Sequence, residues 1–387
     1  MKKIINLVAG LSLVATAAMA DNATLANDQL GDFLIAPVYI ANNSMCSKVT
    51  VYNTNTTHSI LAKVAFRERL ASNEVDLPIF LSPGDVWSGI VCQKNGDVVL
   101  TSKDDSNHPK VAKILANGKS LTKQSISSGH KNIDFTMGYI EVYPIAEFDE
   151  GNDKKLDKSL LVKRWDKLIK GATPSKLVTN GVDGYSLSGN VGFGISNKIT
   201  SYLPMVAFKG THDKVLRGST IAYGNDTAPD VLLGTNKKHQ ILKLLQKNEA
   251  DFTYTNYGKN QYVVFTYPFG YSQTQVRKYK VTVRDMEENK DVKKTEVVIF
   301  SPTPKPKIKS NYMKNEVAVL SVSDIISQTQ NPAMYKNGQI QITDITNVSD
   351  VQLGAGKKPS FIATYLRFDR NINNKNEVVN VSYIPTK

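Results

Sequence analysis

The chain is poor in the residues that carry most reactive chemistry. Of its 387 residues only two are cysteine, two are tryptophan and five are histidine. The histidines, His58, His108, His130, His212 and His239, are scattered through polar text. They make no metal-ligand spacing and read as surface residues. There is no G-x-S-x-G elbow, no H-E-x-x-H pair, no Walker loop and no Cys/His cluster. The stretch "GNVGFG" (Gly189, Gly192, Gly194) echoes a glycine-rich phosphate loop. It sits in strand-like text with no helix after it, so the dinucleotide reading fails its context. Neither a metal nor a cofactor is implied.

Long apolar runs are missing too, except at the start. Lys2 and Lys3 precede an apolar run from Ile4 to Ala15 and the small-residue site Ala18-Met19-Ala20. That is the pattern of a secretory signal peptide over 1–20, cleaved before Asp21. No later segment approaches the roughly 18 to 20 apolar residues that a membrane-spanning helix needs. No cysteine follows the cleavage site, which argues against a lipid anchor there. The expectation is an exported chain without a transmembrane segment, in the periplasm, on the cell surface or outside the cell. In such an oxidising compartment Cys46 and Cys92 form one structural disulfide, since neither has the neighbours a redox or metal role needs.

Acidic residues are outnumbered. The net charge is +13, with 48 lysines and arginines against 35 acids, and lysine dominates. Lysine suits diffuse attraction better than bidentate phosphate recognition. The expected partners are an anionic cell-envelope polymer or polysaccharide, or other surface proteins, with self-association through sheet edges; nucleic acid is not among them.

What the sequence does have is strand patterning, and a hydrophobic fraction of 41% that can fill cores. From Phe33 to Ser102 short apolar runs alternate with turn residues every eight to twelve positions. Strands are expected at 33–40, 48–52, 60–67, 74–81, 86–92 and 98–101, as in a β-sandwich of immunoglobulin type over 21–102. In "FRERLASNEVDLPIFLSPGDVWSG" Val75, Leu77, Ile79 and Leu81 share one face by their period of two, and Trp87 joins the core. Pro78 cannot donate to a ladder and marks an edge strand. Ser82-Pro83-Gly84-Asp85 has the residue order of a type II turn. Arg67, Glu68, Arg69, Glu74 and Asp85 are expected at turn and outward positions, with Arg67 and Glu74 pairing across their turn.

Residues 103–132 are polar, lysine-rich and poor in strand signals, so they read as a linker or long loop with one helical turn near Val111–Leu115. The remainder, 133–387, reads as a larger β-rich unit. It holds an amphipathic helix through Leu156, Leu160, Leu161, Trp165, Leu168 and Ile169 and a short one at 238–247. The Pro-rich "SPTPKPK" suggests a sub-boundary at 301–310. The fold class is therefore mainly β.

Two groups are candidates for function. Glu147, Asp149 and Glu150 follow one strand, and Asp285, Glu287 and Glu288 follow another. Two such acidic loops can place an acid and a base across a sugar, although polar strand ends look the same. In "FTYPFGY" Phe265, Tyr267, Phe269 and Tyr271 alternate and would stack on one face, either as a sugar platform or as a core.

Several of these stretches also resemble a family of exported proteobacterial proteins. The shared pattern is a "VxNT" turn, a "VxFRE" strand and an "EVxD…LSPxDVW" segment, followed by "GYIEVYPIAEF", "SLSGNVGF", "YVVFTYPF" and "FSPTPKP". The resemblance runs to about Lys307 and implies a β-rich protein of the periplasm, cell surface or exterior, with no mechanism attached. Relatives of that pattern carry further cysteines in the linker; this chain has none. Together these readings lead to an exported, non-enzymatic β-sandwich protein of cell-surface structure, adhesion or assembly. The alternative is a polysaccharide-binding protein with carboxylate-dependent glycoside hydrolase activity.

Overall fold

The structure, a computed structural model, describes residues 22–42, 45–151, 156–179, 186–195, 198–212, 233–256, 260–269, 278–285, 294–300, 317–329, 332–345, 360–370, 376–384 and 386. The expected leader, Tyr271, Glu287, Glu288 and the 301–310 boundary lie outside them. Strand makes up 53% and helix 18%, so the chain is mainly β.

The first strands are β1 (Thr24–Leu25), β2 (Phe33–Ile40), β3 (Cys46–Asn53), β4 (His58–Glu68), β5 (Glu74–Leu81), β6 (Val86–Lys94) and β7 (Asp97–Thr101). Next come helix α1 (Pro109–Asn117), β8 (Lys119–Ser120), α2 (Leu121–Ser127), β9 (Met137–Asp149) and α3 (Lys158–Ile169). After them lie β10 (Leu187–Ile195), β11 (Lys198–Pro204) and β12 (Val206–Lys209). These strands form two antiparallel sheets, in the orders β1-β12-β2-β9-β4-β5 and β11-β10-β3-β6-β7-β8. Their facing sides bury Val49, Val51, Val64, Phe66, Trp87, Val91, Ile140, Val142, Val191 and Phe193.

The second half adds α4 (Thr235–Leu244), β13 (Glu249–Tyr254), β14 (Gln261–Thr266), β15 (Lys278–Asp285) and β16 (Lys294–Phe300). It continues with β17 (Val317–Ser321), α5 (Val322–Ile326), β18 (Gly338–Asp344), β19 (Ile362–Arg370) and β20 (Asn376–Tyr383). Two further sheets result, β13-β18-β15-β16 and β17-β14-β19-β20. Rings cross between them: Phe252 lies 5.6 Å from Tyr365, and Phe265 stacks on Tyr279 at 5.3 Å.

The sheets run across the expected domain limits. The six strands read in 21–102 divide three and three between the first two sheets, which are completed by strands drawn from 119–209. An immunoglobulin-type sandwich confined to 21–102 is therefore not what forms. Segment 103–132 is folded rather than a linker. His108 Nδ1 accepts the Lys110 amide at the start of α1, and Ser120 Oγ accepts the Lys123 amide at the start of α2. Val111, Leu115 and Leu121 are buried beneath these helices.

Pro78 does lie on an edge strand, since β5 closes its sheet. Gly84 takes φ +71°, the left-handed value that the third place of a type II turn demands, and the Asp85 amide donates to the Ser82 carbonyl. Cys46 and Cys92 face each other across β3 and β6 and are disulfide-bonded. Among the described residues no helix is long and apolar enough to cross a membrane.

The two halves touch. Phe269 stacks on Phe33 at 5.8 Å, Thr266 Oγ1 donates to the Pro37 carbonyl, and Tyr383 Oη donates to the Pro204 carbonyl. The Val317 amide reaches the Arg69 carbonyl at 3.3 Å. The second half thus covers the side of the first sheet on which Phe33 meets Tyr143, and its β20 packs against β11 and β10 at the edge of the second sheet.

Candidate functional site

That outward side explains the charges of the "FRERLASNEVDLP" stretch. In register, Lys63, Ala65 and Arg67 of β4 stand opposite Pro78, Asp76 and Glu74 of β5, and opposite Tyr143, Glu141 and Tyr139 of β9. Paired residues share a face, so a row of charged and phenolic side chains lies on one surface. All of it is covered: Lys63 and Glu141 are fully buried, and Arg67, Glu74 and Asp76 nearly so. The expectation that Arg67, Glu68 and Glu74 are solvated trim is overturned.

Each of these charges is met inside the protein. Lys63 pairs with Asp76, and the expected pairing of Arg67 with Glu74 is present. Arg67 also donates from Nε to Glu141 Oε2 at 2.8 Å and from Nη1 to the Ser72 carbonyl at 2.9 Å. The Tyr143 hydroxyl donates to the same Glu141 oxygen. One guanidinium thus serves two carboxyl groups in a dry setting. Burial pushes the Glu74 carboxyl up to about 8, against the pull of Arg67, while the two acids hold the Arg67 guanidinium firmly charged.

Glu68 collects the amides of Leu70 and Ala71 at 2.7 and 2.6 Å and that of Asp134 at 3.2 Å. Asp85 is a clamp: it accepts from the Ser82 amide and Ser106 Oγ, each at 3.0 Å, and from Lys158 at the start of α3.

The first expected acidic loop ends β9. Glu147 is fully buried and takes His58 Nδ1 at 2.6 Å, while Asp149 is exposed, 3.6 Å from His58 Nε2. Glu150 accepts Ser59 Oγ at 2.5 Å and both terminal guanidinium nitrogens of Arg164 on α3, which lies over the Phe148 ring. Burial raises the Glu150 carboxyl, but the bonds from Arg164 and Ser59 outweigh it and hold the group below its usual range. This loop fastens α3 to the sheet. Asp285 ends β15 in a different sheet. Among the described residues no three His, Cys, Asp or Glu side chains converge as a metal site.

Of the two readings of the aromatic row, the described residues take the core one. Phe265, Tyr267 and Phe269 are buried, with Tyr267 Oη bonded to Tyr279 Oη at 2.5 Å and to Asp344 at 3.0 Å. Alternation made them one row, but two packed sheets and the Phe33 contact enclose it.

A concavity remains that motifs did not show. A cleft of about 550 Å³ opens at the end of the second pair of sheets, lined by Asp251, Phe252, Gln339, Tyr365, Asn380 and Ser382 among others. Gln339 Nε2 donates to Asp251 Oδ1 at 2.7 Å, and Asn380 and Ser382 are exposed. Its planar polar groups and ring edges come from β13, β18, β19 and β20. No local spacing could have joined them.

The fold and these sites define a mainly β protein of two sheet pairs whose conspicuous charges are structural. No protein-family model matches the chain, and no curated protein matches it either.

Proposed function

We propose that the chain is an exported, non-enzymatic β-sandwich protein serving in cell-surface structure, adhesion or assembly. One observation carries this reading. The side chains that looked reactive, Arg67, Glu68, Glu74, Glu147 and Glu150, are buried and bound to partners that tie strands and helices together. The disulfide between β3 and β6 suits an oxidising compartment. The test is fractionation of cells expressing the full chain, followed by protease treatment of intact cells. Recovery outside the cytoplasm with cleavage of surface-accessible protein supports the reading. Retention in the cytoplasm with reduced cysteines sinks it.

A second reading, polysaccharide binding, is favoured by the cleft, because Asp251, Gln339, Asn380 and Ser382 offer donors and acceptors beside the Phe252 and Tyr365 rings. A glycan array decides it. A hit weakened by Asp251→Ala supports binding at the cleft; no retained glycan at low salt removes it.

A further inference from the structure

The three helices of the first half gather at one edge. The α1 and α2 helices pack on β7, α2 and α3 pack on β5, and the His108 ring at the start of α1 lies 6.4 Å from the Trp165 ring of α3. Their buried sides face the sheets; their outer sides have an unusual composition. From Ser106 to Ile133 there is no Asp or Glu, but Lys110, Lys113, Lys119, Lys123 and Lys131 are present. All of these lysines except Lys119 are exposed. On α1, Lys110, Lys113, Ile114 and Asn117 follow one another at helical spacing along the outer face, and Lys123 with Ile126 repeat the combination on α2. Ile114 and Ile126 are 51% and 57% exposed, among the most exposed large apolar side chains described. On α3, Lys163, Lys167 and Lys170 are exposed in the same way.

The nearby acids do not cancel this charge. Asp97 approaches Lys123 only to 3.9 Å, Asp104 accepts the Ser88 and Ser106 amides, and Asp105 faces Lys158 at 3.5 Å. Asp157, which caps α3 through the Ser159 amide, and Asp166 are exposed among the α3 lysines, two acids against Lys163, Lys167 and Lys170.

We infer that this helical edge docks on an anionic phospholipid bilayer. Lysines alone would fit any polyanion. The two isoleucines decide between occupants, because a hydrated polysaccharide has no use for them whereas the headgroup boundary takes up apolar side chains flanked by cations. The inference deepens the cell-envelope reading above and rests on it for which membrane the protein meets; the docking chemistry stands independently of export.

The test is co-sedimentation of the purified protein, in the form cells accumulate, with vesicles of phosphatidylcholine alone or with 30 mol% phosphatidylglycerol, compared at ~50 and ~500 mM salt. Binding is expected only to the anionic vesicles and to fall with salt. Lys110→Gln/Lys113→Gln/Lys123→Gln weakens it on the order of a hundredfold, from about fivefold per lysine near the surface. Ile114→Ser/Ile126→Ser weakens it at unchanged charge, and circular dichroism checks that both variants stay folded. Equal binding to neutral vesicles, or variants that bind as the parent does, overturns the proposal. So does retention by soluble acidic polysaccharide that Ile114→Ser/Ile126→Ser leaves unchanged. If export fails while vesicle binding persists, the functional reading falls and the docking surface stands.

Discussion

Replacing Arg67 with methionine keeps an unbranched apolar stem, two heavy atoms shorter, and removes the one cation that serves both Glu74 and Glu141. The bonds lost are those to Glu74, to Glu141 Oε2 and to the Ser72 carbonyl. Glu141 keeps the Tyr143 hydroxyl and is fully buried, so its carboxylate is left without a counter-charge in a place water cannot reach. Breaking a buried pair from one side costs about 3–5 kcal/mol. For sheets of this size that lowers the melting temperature by roughly 6 to 20 °C, at about 2–4 °C per kcal/mol. Urea unfolding followed by Trp87 and Trp165 fluorescence reads the loss, both rings being buried. The control is Arg67→Met/Glu74→Gln/Glu141→Gln, which removes the stranded charges at the same shape and regains about half of the loss or more. A single variant within ~1 kcal/mol of the parent, or a triple variant no better than the single one, refutes the buried-charge argument.

Three other outcomes follow from the same geometry. Glu74, raised by burial to about 8, keeps a proton in the folded protein that the unfolded chain has released above its ordinary value of 4.5. Stability therefore declines as pH rises from about 4.5 to about 8, and Glu74→Gln flattens that slope in urea titrations across the range. Cys46→Ser/Cys92→Ser opens a loop of 46 residues and costs roughly 2–4 kcal/mol, read as a lower urea midpoint that reductant does not shift further. Gly138→Ala drives a methyl into the Arg67 carbonyl and the Tyr39 ring, so it costs about 1–3 kcal/mol or more, and the soluble yield drops.

Strands such as 33–40 and 74–81 were legible to the residue, because apolar alternation and Pro, Gly and Asn turns mark both ends. The buried charges were not. A period of two says which residues share a face; it does not say that a distant part of the chain covers that face. Arg67 and Glu74 therefore read as outward-facing until the Phe33–Phe269 and Arg69–Val317 contacts are known. The turn near Val111–Leu115 was legible, but the full length of α1 and the whole of α2 were hidden by their serines and lysines, since a few buried residues and two side-chain caps anchor them. The β11 strand escaped because Lys198, Thr200 and Tyr202 alternate outward with modest apolar partners on an edge. The cleft is assembled from four separate strands, which one sequence does not bring together.

The strand order also sets a timetable. In the first sheet β2 lies between β9 and β12, and in the second β3 is flanked by β10, so strands near residue 40 wait for partners near residues 140 and 200. Closing such loops before any contact rewards them is slow. A chain emerging amino end first, from a ribosome or through a membrane pore, cannot complete the second sheet until Pro204 has appeared, nor the first until Lys209 has. Until then the open edges of β2 and β3 are adhesive, and a holding chaperone would have more than half of the molecule to shield. The interleaving that locks the finished protein together thus keeps the unfinished one threadable.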